Sequence, residues 1–376
     1  MHPDEDVTFA PPRDVPLLGA VLEEDGPEEG RVLEFLGRVV ADTGAAFAGL
    51  STSLGDRLGL YRAMAGTGPV SSARLAERTG LVERYVREWL AAQVAGEYVR
   101  YDPGTDTYLL PDEHAAVLAD PSSPAYAVGA FGMLKALYST EDALAETFRG
   151  GKGVGWQDHD PELFEGVARF FRPGYAAALV SEWLPALGGV LPKLTQGASV
   201  ADVGCGHGHS TLLMAQAFPY SRFHGFDFHG PSIRTARRLA DEQGMGDRVS
   251  FGVAPAQEFA GEDYDLITFF DCLHDLGDPG GALRRAERAL ATGGTCMIVE
   301  PNTSANVLDN VNPVGRAFTA SSVILCLPTA MAQHGPHALG NHAGEDVLRE
   351  LAEAAGLRGW RLAAQTPASR VYAVTR

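Results

Sequence analysis

The chain has 376 residues, 45% of them hydrophobic, and a formal net charge of −18. That length favours two domains with ample core. The charge disfavours nucleic acid as a main partner, because a polyanion is repelled unless positive groups cluster strongly. No apolar stretch is expected to approach the roughly 20 residues that span a bilayer, and Met1-His2-Pro3-Asp4-Glu5-Asp6 lacks a cationic or apolar leader segment. Neither membrane nor export is therefore expected, and the location expected is cytoplasmic. Cys205, Cys272, Cys296 and Cys326 sit in or beside apolar segments without CxxC spacing, so they read as reduced core thiols.

In chain order, residues 1–28 are acidic and proline-punctuated and read as a flexible tail. Residues 29–120 read as a mainly α winged-helix domain. From Val32 to Met64 apolar residues recur at helical spacing, giving two helices broken near Gly49 and Ser51. Ser71 to Leu81 and a helix over 83–95 make a helix-turn-helix, and residues 98–110 alternate around Pro103-Gly104 as a hairpin wing. Residues 121–190 read as a helical connector contributing to a substrate pocket.

Residues 191–376 alternate between strand and helix. Strands are predicted at 199–203, 222–226, 248–253, 264–270 and 295–300, with helices from 210, from 231 and over 280–290. Helices then dominate to about Ala355, and the last strands include Arg370 to Val374. The fold class is α/β, a doubly wound, Rossmann-like parallel sheet.

Asp202-Val203-Gly204-Cys205-Gly206-His207-Gly208 joins the first of these strands to its helix. Gly204, Gly206 and Gly208 allow a sharp turn with no side chain between backbone and ligand. The spacing differs from the dinucleotide fingerprint, which puts its third glycine at the position of His209. The string resembles the first motif of class I S-adenosylmethionine (SAM) methyltransferases, and the leading acid suits a cationic ligand. In such folds an acid ending strand two holds the ribose hydroxyls, which points to Asp227. Asp271 at the end of strand four joins the cofactor set. The third-strand tip departs from the pattern: Ala254-Pro255-Ala256-Gln257 offers no acid, so adenine falls to backbone groups, Gln257 or packing on Phe228.

Strand four runs into Asp271-Cys272-Leu273-His274-Asp275, which resembles the His-Asp motif of plant-type O-methyltransferases. The resemblance implies that His274 is the general base and that Glu300 and Glu345 flank it. Asp275, Phe171, Tyr175 and His342 are the pocket residues expected. His334, His337 and His342 lie in one glycine-rich loop, but their spacing fits no tight metal motif, so no metal is assigned.

Trp156 to Pro161, Phe170-Phe171-Arg172-Pro173-Gly174-Tyr175 and Asp309 to Arg316 are similar to segments of an actinobacterial family of winged-helix-fused SAM methyltransferases. The resemblance covers nearly everything from residue 30 onward. It implies a homodimer, built through the winged helix, that methylates a small molecule in specialised metabolism at oxygen or, next, nitrogen. Arg84 and Arg87 on the would-be recognition helix are offset by Glu83 and Glu88, so DNA is not expected. Two alternatives are a metal-assisted C-methyltransferase of a 2-oxo acid and a ligand-responsive transcriptional regulator.

Overall fold

A computed structural model describes residues 27–376 of the chain. The tail expected over residues 1–28 thus lies outside the described residues, save its last two positions, which open a helix. That helix, α1 (Pro27–Arg57), is continuous. The break expected near Gly49 and Ser51 falls instead at Gly59, whose backbone turns left-handed at φ 73 before α2 (Leu60–Met64). Gly49 stays helical because tertiary packing overrides its low propensity. A Cβ there would sit at ordinary contact distance, 3.4 Å, from Phe131 and Leu134, so this stretch of helix is packed against those side chains.

The winged helix follows as α3 (Ser72–Thr79), α4 (Glu83–Ala95) and the antiparallel pair β1 (Arg100–Asp102) and β2 (Thr107–Leu109). The Ser71 hydroxyl caps α3 by accepting from the Arg74 N–H. With α5 (Asp112–Leu118), these elements enclose a core that includes Leu60, Tyr61, Leu75, Val86, Leu90 and Leu110. On α4, Arg84 pairs with Glu88 and Arg87 with Glu83, so both arginines are compensated along the helix.

The connector comprises α6 (Gly129–Tyr138), α7 (Glu141–Gly150), α8 (Pro161–Ala178), α9 (Leu184–Ala186) and α10 (Val190–Gln196). Residues Leu179–Trp183 between α8 and α9 are π-helical. Pro185 follows at once and has no N–H to return to the preceding turn, which accounts for the wider winding. α8 is tied to the N-terminal domain by Arg169, which donates to Asp56 at 2.7 Å and to the Tyr126 hydroxyl at 2.5 Å.

The C-terminal half runs β3 (Ser199–Val203), α11 (His209–Ala217), β4 (Arg222–Asp227), α12 (Gly230–Glu242), β5 (Val249–Val253) and β6 (Tyr264–Phe270). It continues with α13 (Pro279–Ala289), β7 (Leu290–Pro301), α14 (Pro313–Ser321), α15 (Leu327–Ala332), α16 (Glu345–Ala354), β8 (Arg358–Gln365) and β9 (Ser369–Thr375). The sheet order is β5-β4-β3-β6-β7-β9-β8, with β9 antiparallel to both neighbours and the first five strands parallel. Strand order reverses between β3 and β6, and the carboxyl ends there open the crevice in which such sheets bind ligands. Apolar clusters cover both faces of the sheet. All four cysteines are free, and only Cys272 is less than fully buried.

One expectation is corrected. Pro313–Ala332 is a 20-residue apolar helical run, long enough to span a bilayer, wound through a π turn at Ser322–Cys326. Leu325, Cys326, Pro328, Thr329 and Ala330 are buried in protein, and Arg316 pairs with Asp42 of α1.

Asp56 is 8% exposed and holds the buried end of the Arg169 link. Asp56→Ala should lower unfolding free energy by about 2 kcal/mol, the scale of a lost charge-assisted hydrogen bond. Urea unfolding checks this, with Glu77→Ala, which breaks an exposed pair with Arg74, expected to leave the midpoint unchanged.

Candidate active site

The glycine loop is shaped from below. Asp202 is 1% exposed, and its carboxylate accepts from the hydroxyls of Ser210 at 2.7 Å, Thr211 at 2.6 Å and Thr268 at 3.0 Å. It therefore braces the loop from beneath and does not line the cleft, contrary to the ligand contact expected from sequence. Gly204 (φ 76) packs so closely on Cys272 that a Cβ would lie 2.6 Å from its sulfur. Gly206 (φ 51) has nothing within 4 Å of a would-be Cβ, so open space lies over its backbone. Gly208 lies behind the loop as the N-cap of α11 and does not line the cleft.

Above the loop lies an open cleft, with about 1040 Å³ of space that includes solvent at its mouth. Gly204, Gly206, Asp227, Phe228 and Asp271 form one side, and Phe171 and Tyr175 of α8 face them. The aromatic segment of the connector thus closes the cofactor crevice. Trp156, Phe164, Thr329 and Gln333 also line it, and no local sequence signal marks them for this role. They come from two segments of the connector, Trp156–Asp158 and α8, and from α15 and its C-cap, so only tertiary packing brings them together.

Asp227 accepts backbone N–H bonds from Gly206 at 2.9 Å and His229 at 2.8 Å. Burial pushes its carboxyl up while those two bonds hold it down. The carboxylate is thereby fixed at the strand tip with acceptor capacity left over. Asp271 sits at φ 48, a left-handed conformation uncommon for a residue with a side chain. Its Oδ2 accepts from the Tyr175 hydroxyl at 2.7 Å, and its buried Oδ1 has no partner. Burial raises this carboxyl to about 7, against the pull of the Tyr175 hydrogen bond. A ligand with a cation and a diol fits this donor and acceptor set. Ala254 and Ala256 line the adjoining wall, whereas Gln257 donates to the Asp278 carbonyl at 3.0 Å and is not available there.

His274 lies behind this wall. It is 5% exposed, on the short turn after β6, and does not line the main cleft; it lines a smaller pocket with Glu300 and Glu345. Glu300 at the end of β7 reaches it because β6 and β7 pair in register up to Phe270 and Val299. Its Oε2 meets His274 Nδ1, and its Oε1 accepts from the Leu273 N–H at 3.1 Å. On the other side, Nε2 is 3.2 Å from Asp275 Oδ1, close but not aligned as a hydrogen bond. Burial alone would lower the imidazole, yet the Glu300 and Asp275 carboxylates outweigh it and hold it well above its ordinary value. Asp275, not His274, lines the cleft.

Glu345 is engaged elsewhere, accepting from the Trp360 indole at 3.1 Å and the Tyr372 hydroxyl at 3.5 Å. His342 is exposed and lines neither cavity, because the loop carrying it turns outward before α16. His334, His337 and His342 form no chelating group. Among the described residues, the donors converging within 4.8 Å are those of His274, Asp275 and Cys326. Cys326 had no sequence signal, since the π turn ending at it follows no simple period.

Comparison with known proteins agrees with this architecture. Residues 46–120 match the Rv2258c-like winged HTH domain family, and residues 194–354 match a methyltransferase domain family. The ubiquinone biosynthesis O-methyltransferase of Bordetella avium is 29% identical over 214 residues, 54% of this chain and 80% of that protein. An O-methyltransferase family protein from Burkholderia thailandensis shares the fold with TM-score 0.67 at 17% identity, covering 91% of this chain and 98% of that one. Human N-acetylserotonin methyltransferase in complex with SAM superposes with TM-score 0.63 at 16% identity, over 94% and 99% of the two chains. The chain therefore joins an N-terminal winged-helix domain to a SAM-dependent methyltransferase domain.

Proposed function

We propose that the protein methylates an oxygen of a small molecule bound in the same cleft as SAM, and that Asp275, backed by His274, takes the acceptor's proton. The observation that carries this reading is that one cleft joins the glycine loop and Asp227 to the aromatic wall of α8 and to Asp275. The oxygen acceptor is also that of the Bordetella avium relative.

SAM supplies an electrophilic methyl group on a sulfonium. Asp227 holds the ribose hydroxyls, Phe228 packs against adenine, and Asp271 pairs with the ammonium of the methionyl tail. Phe171 and Tyr175 clamp the acceptor so that its oxygen faces the methyl carbon, and alignment in a dry site supplies most of the rate. Glu300, His274 and Asp275 form a buried group of two carboxylates around one imidazolium, with a net charge of about −1. That surplus charge accepts one proton: Asp275 takes it from the acceptor hydroxyl as the carbon–oxygen bond forms. The electron pair of the broken carbon–sulfur bond leaves with the thioether. His274 thus acts on the acceptor through Asp275, and Glu300 holds the ring in place.

The donor atoms shared by His274, Asp275 and Cys326 favour a second reading, a metal ion serving carbon methylation of a 2-oxo acid. Elemental analysis of tag-free protein separates the two: active, metal-free protein supports the proton group, and a stoichiometric metal supports the second reading.

Homodimerisation is proposed through α1, where Val32, Phe35, Val39, Phe47, Leu50 and Leu54 are exposed by 43–76% at helical spacing. An apolar stripe that long calls for a partner, and a second copy meets it with the same stripe. Light scattering should give twice the chain mass, and Phe47→Asp should give a monomer.

Two outcomes test the chemistry. With an acceptor from a labelled-methyl screen over phenols, amines and 2-oxo acids, His274→Ala and Asp275→Asn should each cost roughly 10²–10³-fold in turnover. Both should bind S-adenosylhomocysteine as the wild type does; undiminished turnover in either removes it from the mechanism. Asp271 is neutral below about pH 7 and charged above it. Calorimetric affinity for S-adenosylhomocysteine should therefore rise as pH climbs from 6 to 8, by up to about tenfold per unit below the pKa. Asp271→Asn should flatten that slope.

A further inference from the structure

We propose that Arg172 is the counter-ion of the cofactor's methionyl carboxylate, so that α8 grips the amino-acid head of SAM between Arg172 and Asp271. SAM carries three charged groups, two cationic and one anionic. The cleft wall has the opposite balance. Asp227, Asp271 and Asp275 line it, and Arg172 is the single arginine or lysine among the described lining residues. His207 and His209 also line it but are uncharged at neutral pH. Burial lowers both, and His209 falls to about 4 with Arg172 adding to the effect, which also places the guanidinium beside the start of α11.

Arg172 has no carboxylate of the described residues within ion-pair distance. Glu165, on the same helix, is directed at His207, 3.9 Å away, and does not line the cleft. Among the described residues, the cation on the wall thus has no carboxylate paired to it, opposite a ligand that has one anionic group.

The register of α8 supports the pairing. Tyr175 lies three residues after Arg172, on the same helix face and about 4.5 Å further along the axis. Its hydroxyl is tied to Asp271 at 2.7 Å. That bond ties the helix face carrying Arg172 to the Asp271 side of the cleft, which both residues line. Pro173, lacking an N–H, follows Arg172 directly and restricts the local backbone.

The test compares two ligands that share adenosine and sulfur and differ in the tail: S-adenosylhomocysteine, and 5′-methylthioadenosine, which has no carboxylate or ammonium. Binding of each to wild type, R172Q and R172K is measured by calorimetry. R172Q should weaken S-adenosylhomocysteine about tenfold, equivalent to about 1.4 kcal/mol, and leave methylthioadenosine within about twofold, which also reports an intact site. R172K should recover part of the loss. Equal weakening of both ligands, or of neither, overturns the proposal. So does a wild type that binds the two equally. If Arg172 instead held a carboxylate of the acceptor, S-adenosylhomocysteine binding would not respond to R172Q, and the proposal fails by the same reading.

Discussion

The site depends on a carboxylate that touches no ligand-facing surface. Asp202 is buried under the glycine loop and satisfied by three hydroxyls, two from the first turn of α11 and one from β6. A charge out of water costs several kcal/mol unless hydrogen bonds replace its hydration. Here burial raises the carboxyl while Thr211, Ser210 and Thr268 oppose the rise. The arrangement fixes β3, α11 and β6 relative to one another, so the loop between them has its shape before any ligand enters. Gly206 can then offer its N–H to Asp227 and leave open space above. Pre-organisation of this kind spares the ligand the cost of ordering the site.

A second set of carboxylates surrounds the acceptor end. Asp271, Asp275 and Glu300 cluster because β6 and β7 are adjacent parallel strands whose carboxyl ends finish at the same level. Three acids so close would repel one another, and each is stabilised differently. Burial raises the Asp271 carboxyl to about 7 while the Tyr175 hydrogen bond steadies its charged form, and Glu300 and Asp275 share the His274 imidazole. The cleft wall is therefore acidic beneath and aromatic above, which suits a cationic cofactor beside an acceptor that sheds a proton.

Much of this was legible in sequence because its signals are local. The glycine spacing, Asp227 at the strand tip and the strand-helix alternation each depend on residues within a few positions, and the elements fall within a residue or two of expectation. The exceptions are β7, which begins at Leu290 rather than near 295, and the first helix break, at Gly59 rather than near Gly49 and Ser51. The position of Asp202 beneath the loop is not legible locally, because Thr268, one of its partners, lies 66 residues away. That His274 does not line the cleft is equally nonlocal, since Cys326, which lies beside it, is some 50 residues on, at the end of a π turn. His342 looked well placed beside Glu345 and is exposed, because sequence adjacency says nothing of which way a loop faces. Gly49 read as a helix breaker until its packing on Phe131 and Leu134 was seen.

The central claim is that one cleft receives both cofactor and acceptor. A crystal structure with S-adenosylhomocysteine tests it most directly. The account predicts the ribose hydroxyls on Asp227, adenine against Phe228 and the sulfur turned toward the Asp275 side under Phe171 and Tyr175. Ligand bound away from Asp227, or with its sulfur facing away from Asp275, would contradict it.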